Sequence, residues 1–114
     1  MSTPELSAFL TASAPLFAAL GDETRLRLVQ RLCDDGPLSI TRLSSEAQMT
    51  RQAITKHLEV LEGAGVVSDR RAGRERVWRL EPYRLEEARY WLERISQEWD
   101  AAIERLRAHV EERE

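Results

Sequence analysis

The sequence predicts a mainly helical α+β chain in the order α-α-α-α-β-β-α, with long helices at both ends. Three observations predict it. Apolar residues recur at helical spacing through residues 3–63, punctuated by caps and glycines. Residues 66–80 switch to a hairpin pattern rich in β-formers. From Pro82 onward, Leu85, Ala88, Leu92, Ile95, Trp99, Ala102, Leu106 and His109 follow one another at steps of 3, 4, 3, 4, 3, 4 and 3, an unbroken heptad seam.

The elements follow in order. Thr3 reads as a cap, with Pro4 at the first helical position and Glu5 in the first turn. Phe9, Leu10, Leu16, Phe17 and Leu20 supply apolar surface; Ser13 and Pro15 are expected to interrupt or restart this helix, and Gly21 to end it. Asp22 caps a second helix from Glu23 to about Cys33, with Leu26, Val29 and Cys33, flanked by Leu28 and Leu32, as its apolar face. Asp34-Asp35-Gly36-Pro37 breaks it. Ser39 caps a third helix from Ile40 to about Ala47, with Ile40, Leu43 and Ala47 facing inward. A brief turn, Gln48-Met49, leads to a fourth helix capped by Thr50 and stopped at Gly63, whose stripe Ile54, Leu58 and Leu61 must be buried. Two short helices joined by a tight turn, the second with a polar outer face, form a helix-turn-helix unit. Val66–Arg71 and Arg74–Leu80 read as strands joined by Ala72-Gly73. Pro82 opens the last helix; at about 30 residues it spans about 45 Å, more than a chain of 114 residues can cover alone. Two coverings are open: packing within the monomer, or a second copy of the chain, which is the more economical.

Composition narrows the function. The length suits one domain with one modest core, no run of 18 apolar residues occurs, and the N-terminus lacks the basic start and apolar stretch of a secretion signal. A soluble cytoplasmic protein, off the membrane, is therefore expected. The single cysteine, Cys33, allows neither an internal disulfide nor a multi-cysteine metal cluster; core packing is expected of it rather than a redox role. Serines, histidines and acids are scattered without nucleophile-motif spacing, and no glycine-rich phosphate loop is present, so the sequence supports neither an enzyme nor a cofactor site.

Charge points to a polyanion. The net charge is −3, but residues 50–80 carry six Arg and one Lys against four acids, while 1–49 and 81–114 are both acidic on balance. Local potential steers a polyanion better than the total does. The outer face of the fourth helix carries Arg51, Gln52, Thr55, Lys56 and Glu59; Arg and Gln bond base edges bidentately, and Thr, Lys and Arg hold phosphates. An ordinary solvated helix face is the competing reading. Arg70, Arg71, Arg74 and Arg76 crowd the hairpin tip, where like charges repel and call for a compensating anion such as a backbone phosphate or a minor-groove contact. A solvated charged hairpin is the alternative there.

Three stretches carry a resemblance: LFAALGDETRLRLV (Leu16–Val29), MTRQAITKHLEVLEGAGVV (Met49–Val67) and RRAGRERVWRLEP (Arg70–Pro82). With them the chain resembles the ArsR/SmtB family of bacterial winged-helix repressors, and its tail is similar to that of a branch with one long, Trp-bearing C-terminal helix. The resemblance implies a winged helix-turn-helix domain over 1–114: a dimerisation helix at 1–20, a DNA-binding unit at 21–81 and a second dimerisation helix at 82–112. It implies a homodimer joined through its first and last helices, with Phe9, Phe17, Leu92, Ile95, Trp99 and Leu106 as candidate interface residues. It implies that double-stranded DNA is the partner, met by Arg51, Gln52, Thr55, Lys56 and His57 in the major groove and by Arg70, Arg71, Arg74 and Arg76 on the wing. His57 also reads as a partly buried helix residue beside Ile54 and Leu61. Many family members sense metals through two cysteines and an acid in the helix before the recognition helix; those positions here are Ser39, Thr41 and Arg42, a poor soft-metal set. The family's other metal site needs His and acid ligands on the last helix, which here has a single His109 and acids mainly on its solvated face. His109 on the seam reads as packing or capping rather than a ligand or a pH switch. The expected function is a dimeric repressor of a near-palindromic operator; its effector is unknown, a small molecule or none. A protein–protein adaptor and a metal-responsive repressor are the alternatives.

Overall fold

The computed structural model describes residues 2–113. Its elements are α1 (Thr3–Leu20), α2 (Glu23–Asp35), β1 (Leu38–Ser39), α3 (Ile40–Ala47), α4 (Arg51–Gly63), β2 (Val67–Ala72), β3 (Glu75–Leu80) and α5 (Pro82–Arg113). The fold is mainly α with a small antiparallel sheet of order β1-β3-β2. The expected order lacks β1. That strand is two residues long, pairing Leu38 with Trp78 and Ser39 with Val77, too short for an alternating pattern to announce it.

The core is built on α4. Ile54, Leu58 and Leu61 are completely buried and meet Leu16, Leu28, Leu32, Leu43, Val66, Val67 and Trp78. The cap on Thr50 forms as expected, its hydroxyl accepting from the Ala53 N–H at 3.1 Å. The helix ends at Gly63 as expected, while the glycine that turns the chain away is Gly65. Ala64 is the C-cap, Gly65 takes φ +78°, and the Val66 N–H returns to the Leu61 carbonyl at 2.9 Å. Gly65 is required there by its left-handed backbone and because a Cβ would stand 3.0 Å from the Arg84 side chain.

Four local expectations are corrected. α1 runs unbroken through Pro15, and its cap is Ser2, which accepts from the Glu5 N–H. An interior proline costs about 3 kcal/mol, but Leu16 and Ala19 beyond it are buried and keep the helix docked. On α2 the buried pair is Leu28 and Leu32; Leu26 and Cys33 are exposed. The winning stripe is 25–28–32, with an arginine at its head that a purely apolar reading passes over. On α3, Ser44 rather than Ala47 is buried beside Ile40 and Leu43, its hydroxyl donating to the Thr41 carbonyl at 3.2 Å. The hairpin turn is Gly73-Arg74, one residue later than expected, with Ala72 facing Glu75. A two-residue turn that joins right-twisting strands and begins with glycine needs positive φ there, and Gly73 sits at +67°.

α5 leaves the body as expected. Ala88 is buried and Leu85 packs on the core, but Leu92, Ile95, Trp99, Ile103, Leu106 and Val110 are exposed. Arg84 anchors its first turn: Nε donates to the Ala64 carbonyl at 2.8 Å, Nη2 to the Ala12 carbonyl at 3.1 Å, and Nη1 to Glu87 Oε2 at 2.5 Å. One half-buried guanidinium thus ties α5 to α1 and to the end of α4. Arg84→Met keeps the aliphatic stem and removes these bonds. The expected loss is about 2–3 kcal/mol, read from the denaturant midpoint; an unchanged midpoint would show the staple to be idle.

Candidate nucleic-acid interface

α4 is held in place from beneath, so its outer face is free to meet another molecule. Arg51, Gln52 and Lys56 are exposed and Thr55 is half-buried at the edge of that face. Ser39 and Thr50 cap the two helices of the unit, and Gln48 makes the turn between them with φ +55°. Thr50 as cap fixes where the first turn of α4 begins, so Arg51 is its first helical residue.

His57 takes a different place from its neighbours on α4. It is half-buried, with Nδ1 3.3 Å from Arg25 Nη1 and 3.9 Å from Asp22 Oδ1. Of its two expected readings, DNA contact or a partly buried helix residue, the half-burial agrees with the second, and the ring turns toward the start of α2, beside the polar end of the 25–28–32 stripe. Arg25 also donates through Nε to the Ala19 carbonyl at 2.5 Å. The Asp22 carboxyl is held below the usual carboxylate range, first by the hydrogen bond from the Arg25 backbone N–H, then by the charges of Arg25 and His57. Arg25 went unmarked in the sequence; its place at i and i+3 from Leu28, and i+7 from Leu32, was the available signal.

The wing arginines divide into two groups. Arg70, Arg71 and Arg74 stand exposed at the tip. Arg76 is occupied: its Nε donates to Asp69 Oδ2 at 2.8 Å and its guanidinium lies 4.7 Å from the centre of the Trp78 ring. This contact holds the Asp69 carboxyl low, while the neighbouring Glu62, sharing a hydrogen bond with Asp69, is held above the usual range. The charge crowding expected at the tip is thus relieved in part from within, by Asp69.

A second polar contact links the three parts of the unit. Arg51 Nη2 donates to Thr41 Oγ1 at 3.1 Å, and Thr41 Oγ1 donates to Glu75 Oε1 at 3.1 Å. Of the three positions that the resemblance aligns with metal ligands, Ser39 serves as a cap, Thr41 as a bridge, and Arg42 pairs with Glu46 at 3.6 Å. Among the described residues, no group of three or more His, Cys, Asp or Glu converges in a way that could hold a metal ion. Nor is any helix among them long and apolar enough to cross a membrane.

A braced helix with a cationic outer face, preceded by a short helix and followed by an arginine-tipped hairpin, defines the winged helix-turn-helix class of transcriptional regulators. Residues 20–70 match the family described as a helix-turn-helix domain. A helix-turn-helix-type transcriptional regulator of Mycobacterium tuberculosis is 40% identical over 85 residues, covering 75% of this chain and 76% of that protein. The arsenical resistance operon repressor of Escherichia coli is 32% identical over 96 residues, covering 83% of this chain and 79% of the repressor. An ArsR-like transcriptional regulator from Rhodococcus sp. RHA1 superposes with a TM-score of 0.70 at 36% identity, over 82% of this chain and 87% of its own. The chain belongs to the ArsR family of transcriptional regulators.

Proposed function

We propose that this regulator is a homodimer that represses transcription by binding a near-palindromic operator. The observation that carries the reading is the placement of Arg51, Gln52 and Lys56 on the exposed face of α4, beside a wing tip bearing Arg70, Arg71 and Arg74. This is the one cationic stretch of an otherwise acidic molecule. Residues 21–81 act as the DNA-binding unit, and residues 1–20 and 82–112 as the dimerising helices, within one domain spanning 1–114. Arg51, Gln52 and Thr55 read base edges; Lys56 and the three tip arginines hold phosphates and the minor groove. His57 and Arg76 brace α4 and the wing from within. Two copies related by a two-fold axis present their α4 helices to successive major grooves about 34 Å apart, hence a palindrome.

The dimer rests on α5. Leu92, Trp99 and Leu106 lie on one seam and are 56%, 65% and 64% exposed, which a lone helix in water does not sustain over about four turns. Phe9 and Phe17 are partly used within the chain. Phe9 packs edge-on against Tyr90, with ring centres 5.8 Å apart, and lies 5.6 Å from Trp91, while Phe17 packs on the core. The second copy therefore meets α5 first and α1 at its margin.

Recovery of genomic fragments bound by the purified protein tests the reading and supplies the operator. On that operator, Arg51→Ala should weaken binding by about 1–3 kcal/mol and relax preference at one position in each half-site. Unaltered preference would remove Arg51 from the readers.

A further inference from the structure

The register of the small sheet places an acid of the wing against the first turn of α3. Ser39 pairs with Val77 across β1 and β3. The chain then turns into α3, whose first turn carries Thr41, and β3 begins two residues before Val77 with Glu75, so the two side chains come within hydrogen-bond reach. There the Thr41 hydroxyl donates to Glu75 Oε1 and accepts from Arg51 Nη2, both at 3.1 Å. A threonine hydroxyl has one proton and two lone pairs, so it can do both at once. All three residues are exposed, so the chain of bonds adds little to stability. Its effect is on direction: an unheld arginine samples many rotamers, and a bond from a fixed hydroxyl selects among them.

The geometry points to Thr41 and Glu75 as positioning residues for base readout, setting the Arg51 guanidinium before DNA arrives and coupling the wing to α4. This rests on Arg51 being a reader, as proposed above. The Glu75 carboxylate is exposed and lies one hydroxyl away from the Arg51 guanidinium, so it sits in the patch that meets phosphate. A negative charge there lowers affinity for any duplex alike, and through Thr41 it raises discrimination. Glu75 thus trades affinity for specificity, which an acid serving only to offset neighbouring arginines would not do.

The test uses the full chain and a duplex enriched on the wild-type protein from a randomised pool. Glu75→Gln, Thr41→Val, Arg51→Ala and the pairs of each of the first two with Arg51→Ala are titrated against that duplex, all its single base-pair variants and random duplex. Glu75→Gln should bind random duplex about two- to threefold more tightly. Both Glu75→Gln and Thr41→Val should lose about three- to tenfold of discrimination, at the positions that Arg51→Ala affects. In the Arg51→Ala background neither should lose more. If Arg51→Ala relaxes specific positions while the other losses spread over the whole site, or persist undiminished in the pairs, Thr41 and Glu75 do not act through Arg51 and the inference falls alone. If no duplex is enriched, or Arg51→Ala leaves preference intact, the reading beneath it falls as well.

Discussion

Affinity for the operator should fall by roughly 10³-fold or more as salt rises from about 50 to about 200 mM. The expectation comes from counting charges that the structure leaves available. Arg51, Lys56, Arg70, Arg71 and Arg74 are exposed in each protomer, whereas Arg76 is spent on Asp69 and Trp78. The two protomers of the proposed dimer would bring ten such cations to the duplex, and six or more phosphate contacts suffice for a drop of that size. The net charge of −3 cannot supply the attraction, because at long range it repels DNA. Binding must therefore arise from counterion release at the patch, and a plot of log affinity against log salt should be steep and straight. A flat response would mark the unit as a protein–protein adaptor.

If the chain pairs through α5 as proposed, Trp99→Glu should give monomers in sedimentation experiments. Trp99 is the most exposed of the large apolar side chains on the α5 seam at 65%, with Ile95, Ile103 and Leu106 around it. Covering each such side chain contributes about 2–3 kcal/mol, and a carboxylate in the middle of the covered seam adds an unpaired charge to desolvate. The substitution spares the body of the fold, because in the monomer Trp99 already faces water. Operator affinity should fall with it, by about 10²-fold or more, since one α4 helix then binds without the effective concentration supplied by the other. An intact dimer would place the interface elsewhere on the chain.

The parts of this fold that were legible in the sequence are those fixed by a single strong periodicity or a cap. Ile54, Leu58 and Leu61 announce the buried side of α4, and the seam from Leu85 to Leu106 announces a helix longer than its body; both appear as read. What was not legible depends on contacts distant in sequence. β1 exists because Trp78 offers it a partner. α2 buries Leu28 and Leu32 rather than Leu26 and Cys33 because Arg25 finds the Ala19 carbonyl and His57 on that side. The same long-range bonds divide the residues that pattern grouped together. Arg51, Gln52 and Lys56 remain outward, while His57 and Arg76 are drawn in by Arg25 and Asp69. The sequence shows which side chains are cationic; only the fold shows which have already found a partner.

Cleavage protection on the enriched operator tests the account most directly. The dimer should shield two major-groove patches on one face of the duplex, about one helical turn apart centre to centre, with minor-groove protection beside them where the wing tips reach. Even cleavage along the duplex in dilute buffer, or a single patch made by a dimer, would contradict it.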